Sequence, residues 1–264
     1  MRNRFTGLLK ETAKRFNVGI TSYGHFQELE QHEKLSQGLR RVLVFGGEHT
    51  VPLLNYLDSS KAQLSQDLFV LSQVGLKTEG FFIEFGATNG MTLSNTYLLE
   101  SRFQWNGILA EPAKYWHGAL RNNRKCKIET DCVWRKSNEV LTFNEASSMK
   151  ELSTIESHSA GDFHAESRKK GRRYTVKTIS LSDLLDKYAA PRIVDYLSID
   201  TEGSEYEILN GFNFEKYQFR VITCEHNFAP QRDSIFALLS RHGYQRKFER
   251  CSEFDDWYVQ PSLI

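Results

Sequence analysis

The chain has 264 residues, 40% of them hydrophobic and 25% charged, which suits a folded globular protein and excludes a disordered or collagen-like one. Lys and Arg number 34 against 33 for Asp and Glu, a net charge of +1, so no overall field argues for nucleic acid or an anionic membrane as partner. Cys126, Cys132, Cys224 and Cys251 form no CxxC pair, which argues against zinc and against a disulfide-stapled secreted fold, and for reduced thiols in a cytoplasmic protein.

The first stretch, "MRNRFTGLLKETAKRF", is basic but lacks an apolar run of signal-peptide length, and nowhere do about 18 apolar residues follow one another, so neither export nor a transmembrane segment is expected. From Phe5 to about Gln73, "LLKETAKRF", "FQELEQHEKLSQGLRRVLVF" and "VPLLNYLDSSKAQLSQDLFVLSQ" place apolar residues three or four apart between charged ones, predicting helices. Residues 1–75 read as an N-terminal helical extension that serves homodimer contact or substrate closure, and 76–264 as the main domain.

After Gly80 the texture changes to short apolar runs rich in Phe, Ile, Val and Tyr: "FFIEF", "GILAEP", "KIETDCVW", "VLTFNEA", "YTVKTISL", "VDYLSID", "FRVITCEH" and "DWYVQ". Helical patterns such as "SNTYLLESRF", "KYWHGALRNN", "SLSDLLDKY" and "DSIFALLSRHG" separate them. Alternating strand and helix predicts βαβ units and a doubly wound α/β fold, a mostly parallel sheet with helices on both faces. Between Ala146 and Arg173 the pattern lapses into a polar, Ser-rich segment that reads as a long loop or lid. It ends in Lys169, Lys170, Arg172 and Arg173, which read as a solvated patch.

Strand "FFIEF" leads into Gly86-Ala87-Thr88-Asn89-Gly90 and then a helix expected near Thr92. Glycines in such a turn reach backbone conformations closed to other residues and bring a ligand against bare amides. The spacing is G-x-x-x-G, not the dinucleotide G-x-G-x-x-G, and Glu84 stands beside it. A carboxylate there would repel a pyrophosphate but pair with a cationic amino-acid group such as that of S-adenosylmethionine.

The next strand ends in Glu111, 21 residues past Gly90, where a doubly wound fold places the acid that holds ribose hydroxyls. "KIETDCVW" would bring Asp131 to the same edge, within reach of an adenine amine. "VDYLSIDTEGSEYEIL" runs from a strand into Asp200, Glu202 and Glu205. Glu205 is expected to face solvent, with Asp200 and Glu202 toward the crevice, able to bind hydroxyls, take a proton or hold a divalent ion. "FRVITCEH" delivers Glu225 and His226 to the neighbouring edge, His226 as a base, a ligand or a structural residue.

These motifs together resemble the FkbM family of S-adenosylmethionine-dependent methyltransferases. The resemblance lies in "SQDLFVLSQ" (Ser65 to Gln73), "GFFIEFGATNG" (Gly80 to Gly90), "SNTYLLE" (Ser94 to Glu100), "WNGILAEP" (Trp105 to Pro112), "VKTISLSDLL" (Val176 to Leu185) and "LSIDTEGSEYEILNG" (Leu197 to Gly211). It spans nearly everything from Ser65 onward. It implies a class I methyltransferase fold, seven mostly parallel strands with the last antiparallel, and O-methylation of a hydroxyl on a sugar, glycan or natural product. Carried over by position, Glu84, Gly86, Ala87, Asn89 and Gly90 would cradle the methionine part of the cofactor, Glu111 its ribose, and Asp131 with Cys132 its adenine. Asp200, Glu202, Glu225 and His226 would face the substrate. Glu84 stands where many members have Asp, and Thr88 where Asn is usual. For the chemistry, His226 or Asp200 would serve as general base. A divalent cation such as magnesium on Asp200 and Glu225 is the alternative. A non-catalytic cofactor-binding module and a dinucleotide enzyme remain as other readings.

Overall fold

The structure, a computed structural model, describes residues 23–160 and 165–264. The predicted helix "LLKETAKRF" lies outside the described residues. The chain divides into two compact units, Met1–Arg40 and Arg41–Ile264. Helix α1 (Tyr23–Phe45) contains the division point. In the first unit its side chains are largely solvent-exposed, Phe26 and Leu29 among them.

The second unit opens with α2 (Thr50–Leu54) and α3 (Gln66–Gln73), then alternates. Strand β1 (Phe81–Phe85), helix α4 (Tyr97–Phe103), strand β2 (Asn106–Ala110), helix α5 (His117–Asn123) and strand β3 (Lys127–Glu129) follow. Strands β4 (Cys132–Trp134), β5 (Val140–Glu145) and β6 (Thr154–Ile155), helix α6 (Ala165–Arg168) and strand β7 (Arg172–Ser180) form an inserted region. The alternation resumes with α7 (Leu181–Lys187), β8 (Ile193–Ile199), α8 (Glu205–Asn210), β9 (Gln218–Glu225), α9 (Gln231–Arg241), β10 (Gln245–Lys247), α10 (Glu249–Ser252) and β11 (Asp255–Val259).

Seven strands form one sheet in the order β10-β11-β9-β8-β1-β2-β3. The pairs β1–β2, β2–β3, β1–β8 and β8–β9 are parallel, and β11 runs antiparallel to both its neighbours. This is the fold that the class I methyltransferase resemblance implies. Side chains alternate across the sheet as strand geometry requires. Ile83, Phe85, Ile108 and Leu197 join α7, α8 and α9 in one core cluster, while Phe82, Leu109 and Tyr196 join α3, α4 and α5 in the other. Val42, Phe45 and Leu53 belong to this second cluster, and Phe69 of α3 stacks on Trp257 of β11 at 4.6 Å. The helical stretch from Arg41 onward is thus a packed layer of the sheet.

The inserted strands form a second sheet, β4-β7-β5-β6. "KIETDCVW", read as one strand, is therefore two strands in two sheets. The cause is local: one Glu129 carboxylate oxygen accepts the Thr130 and Asp131 N–H groups at 2.8 and 3.0 Å, satisfying the backbone where the chain turns away. The segment read as a long loop carries two short 3₁₀ turns, β6 and α6. Buried Arg168 fastens it by donating to the Leu152 carbonyl at 2.6 Å and to Glu202 at 2.8 Å. The basic cluster behind it is at the surface, where Lys169 pairs with Glu166 and Arg173 with Glu156.

Candidate active site

Strand order reverses between β1 and β8, and an open α/β sheet offers its crevice beyond the carboxyl ends at such a point. There Gly86 has φ +71°, and a Cβ built on it would fall 2.0 Å from the Asp200 carbonyl oxygen. The first glycine of the turn is required because two strand ends converge on it. The second, Gly90 at φ +75°, lies under Arg124 and Leu120, each 2.6 Å from a built Cβ. At both glycines the tight turn brings backbone close against neighbouring protein atoms. Asn89 closes it with its own side chain, which accepts the Met91 and Thr92 N–H groups at 2.9 and 2.8 Å.

Glu84 is buried and already engaged. Its carboxylate accepts from the Ser94 hydroxyl (2.9 Å), the Asn95 N–H (2.8 Å) and the Thr96 hydroxyl (2.5 Å), and Arg124 stands 3.7 Å away. These contacts hold residues 94–96 out of the helix, so α4 starts at Tyr97 rather than near Thr92. Arg124, with no exposed side-chain surface, also pairs with Glu100 at 2.7 Å. Asn95 donates to the Ser198 hydroxyl at 2.9 Å, while its buried Oδ1 has no hydrogen-bond partner.

Two lobes of one crevice meet at Phe85, Gly86, Trp116, Glu151 and Asp200. The narrower, about 40 Å³, is walled by Cys132, Val133, Phe143 and Ile155 together with the buried Glu111. Glu111 accepts the Thr88 and Ala113 N–H groups, each at 2.7 Å, and burial pushes it up to about 7. Burial likewise pushes the Cys132 thiol up to about 12, so it stays neutral. Asp131 does not line the lobe, since its backbone is tied to Glu129 at the turn between sheets. The wider lobe, about 310 Å³, has a mixed wall in which Gln63, Gln66, Asn95, Ser198, Asp200 and Asp255 supply polar groups beside Phe85, Leu93, Trp116 and Phe254.

Asp200, Glu202 and Glu225 place one oxygen each within 4.8 Å of one another. Burial pushes Asp200 up to about 6, opposed by a hydrogen bond with Glu225; burial and then Asp200 hold Glu225 well above the usual carboxylate range. Glu202 is tied to Arg168. Glu205, expected in solvent, is 1% exposed. Its Oε1 accepts the Thr201 and Gly203 N–H groups at 2.9 and 3.0 Å, because the turn after β8 needs an acceptor. His226 lies in a separate cavity of about 150 Å³ with His158, Glu202 and Glu225. Its Nδ1 accepts the Phe228 N–H at 2.9 Å, which leaves the proton on Nε2, 3.8 Å from Asp256. His226 lines neither lobe beside Gly86.

Sequence reading passed over Gln66, Trp116, Asn95, Ser198, Glu151 and Asp255. Asn95 and Ser198 stand inside motifs already singled out. Asp255 carried one signal, its place at the start of the final strand: an antiparallel last strand begins at the edge where parallel strands end, and Asp255 pairs with Glu225.

Residues 84–246 match the family model of the methyltransferase FkbM domain. The chain belongs to this family. No curated protein matches it. Among solved structures, the FkbM methyltransferase from Methylobacillus flagellatus KT is 12% identical, with 81% of this chain and 60% of that one covered and a TM-score of 0.41. CalS11, a TDP-rhamnose 3'-O-methyltransferase of calicheamicin biosynthesis, is 12% identical over 91% of this chain and 96% of that one, with a TM-score of 0.40. A precorrin-6y C5,15-methyltransferase from Geobacter metallireducens GS-15 is 13% identical over 69% and 71%, with a TM-score of 0.38. Membership in the FkbM family makes this chain a methyltransferase and implies use of S-adenosylmethionine. No helix among the described residues is long and apolar enough to cross a membrane.

Proposed function

We propose that this FkbM protein transfers a methyl group from S-adenosylmethionine to a hydroxyl oxygen of a saccharide or a related polyhydroxylated natural product. The observation that carries the reading is the two-lobed crevice with its lobes joined at Gly86 and Asp200. The narrower lobe carries the side chains an adenosine calls for: Glu111 would hold the ribose, and Cys132, Val133 and Phe143 would flank the base as the lobe opens to admit it. The orphaned Asn95 Oδ1 and the nearby polar groups fit an aminoacyl end beside Gly86. Amide and hydroxyl side chains in the wider lobe can match the alternating donors and acceptors of a sugar.

When bound, the cofactor supplies an electrophilic methyl group that already carries its leaving group. The protein's own tasks are to align the acceptor oxygen and to accept its proton. Asp200 stands at the junction of the lobes and is held by burial near the pH where it can do so. A second reading is favoured by the three clustered carboxylate oxygens: Asp200, Glu202 and Glu225 would hold magnesium, which would acidify the hydroxyl. The free thiols of the described residues fit a cytoplasmic setting, and the exposed face of α1 fits a homodimer contact. The deciding experiment incubates the enzyme with methyl-labelled donor and a saccharide pool, and reads the pool by mass spectrometry with and without chelator. A label on a hydroxyl oxygen supports the reading; S-adenosylhomocysteine binding with no transfer to any hydroxyl sinks it.

A further inference from the structure

The wider lobe has no positive charge in its wall. Four of the residues that line it are acids, Glu84, Glu151, Asp200 and Asp255, and among the described residues no Lys, Arg or His lines it. The cations nearby are spent elsewhere. Arg124, 3.7 Å from Glu84, has no exposed side-chain surface and pairs with Glu100 at 2.7 Å. Arg232 and Arg246 meet Asp256 at 2.7 and 3.2 Å, and Arg168 is held by the Leu152 carbonyl and Glu202. Lys150 belongs to the wall of the narrower lobe and stands 3.4 Å from Glu145. Protonated or not, a carboxyl group supplies no positive charge. A phosphate entering this lobe would give up its water without gaining an ion-pair partner.

The backbone offers an anion as little as the side chains do. Glycine turns bind phosphate through free N–H groups, but those of this turn are already donated. Gly86 and Ala87 give theirs to the Ala110 carbonyl at 3.1 and 3.4 Å, Gly90 to the Ala87 carbonyl at 2.8 Å, and Thr88 to Glu111 at 2.7 Å. Those of Met91 and Thr92 go to the Asn89 side chain. What the wall leaves open is an acceptor: with Asn95 Nδ2 donating to Ser198, the buried Oδ1 has no hydrogen-bond partner. Acids and a lone carbonyl oxygen call for N–H and O–H donors and for positive charge. S-Adenosylmethionine meets that demand as a net cation, since its one carboxylate travels with its own ammonium and sulfonium.

Resting on the O-methyltransferase reading above, we infer that the wider lobe selects its acceptor by charge: it takes a hydroxyl of a neutral or amine-bearing saccharide and refuses phosphorylated, nucleotide-linked and uronic acid sugars. Specificity of this kind comes from what a wall withholds as much as from what it supplies. Magnesium on the carboxylate cluster does not reverse it. Of the three clustered acids only Asp200 lines this lobe, whereas Glu202 and Glu225 line the cavity beside His226. The sugar therefore reaches this enzyme after any activating phosphate has gone. The reaction that supplies it is a glycosyl transfer or a phosphate ester hydrolysis, and methylation follows.

The test uses the full chain in two arms. In the first, a saccharide pool is split by anion exchange into a retained fraction of phosphorylated, nucleotide-linked and uronic acid sugars and a flow-through of neutral and aminated ones. Each fraction is incubated with enzyme and methyl-labelled donor, with and without magnesium, and read by mass spectrometry. Most of the label should enter the flow-through; most of it in the retained fraction, under either condition, overturns the inference. In the second arm, calorimetry compares sinefungin, which carries a protonated amine in place of the sulfonium and its methyl, with uncharged S-adenosylhomocysteine. A crevice that favours positive charge should bind sinefungin about threefold or more tightly. A smaller preference, or one for S-adenosylhomocysteine, overturns the inference. This arm needs no acceptor, so it decides the charge preference even if neither fraction takes up label, an outcome that sinks the O-methyltransferase reading alone.

Discussion

Gly86 and the carbonyl of Asp200 stand so close that a single added carbon on Gly86 would lie 2.0 Å from that oxygen. The ends of β1 and β8 are held together by what Gly86 lacks. Gly86→Ala should therefore damage the fold and not only the crevice. The positive φ and the backbone contact together predict a loss of about 2–4 kcal/mol, read as a lowered thermal midpoint without cofactor. A variant that melts with wild type would show that the strand ends can part without cost.

Arg124 predicts a different kind of loss. With it removed, buried Glu84 and partly buried Glu100 lose their shared cation. Arg124→Met should cost about 3–5 kcal/mol in denaturant unfolding. Adding Glu84→Gln should return part of that, since the orphaned charge goes with it. A double variant no more stable than the single one would mean that Glu84 carries no uncompensated charge.

Glu111 carries a pH dependence whose sign follows from burial. Its folded value, about 7, lies above the ordinary 4.5, so the folded state holds a proton that the unfolded chain has released. Stability from this group is fully present below the ordinary value and is lost as pH rises toward 7, by about 3 kcal/mol in all. In Glu111→Gln that part of the slope should vanish, leaving the contributions of Asp200 and Asp255, which run the same way. Cofactor affinity should fall about 10- to 100-fold with the ribose contact gone. An unchanged pH–stability curve would contradict the burial argument.

His226→Ala should leave turnover within about threefold of wild type, because Nδ1 is spent on the Phe228 N–H and the ring faces another cavity. The cost should fall on stability instead, about 1–2 kcal/mol for the lost hydrogen bond and packing. A large loss of turnover at unchanged stability would return His226 to the chemistry.

Much of this was legible in the chain because it is local. "FFIEF" with its turn, "GILAEP" ending in Glu111, and "VDYLSID" ending in Asp200 are strand-to-turn units, and the sheet puts all three ends at one edge. What sequence could not show depends on long-range burial. Glu205 reads as an exposed helix residue until the turn after β8 folds over it. Glu84 reads as a ligand group until Arg124, forty positions on, reaches it. Asp255, not singled out in the sequence, joins the crevice once β11 pairs antiparallel with β9 and sets it beside Glu225. The split of "KIETDCVW" between two sheets depends on one side chain, Glu129, whose partners are its own following amides and Lys187.

The inserted sheet and the chain ends divide the labour of the crevice. Phe143 and Ile155 of the insert close over one lobe, while Gln66 and Asp255, almost two hundred positions apart, meet across the other at 2.8 Å. The wider lobe is therefore assembled from three stretches of chain: most of its wall lies within residues 84–246, and Gln63, Gln66, Phe254 and Asp255 complete it from either side. A change at either flank would reshape that wall while leaving the lining of the narrower lobe as it is.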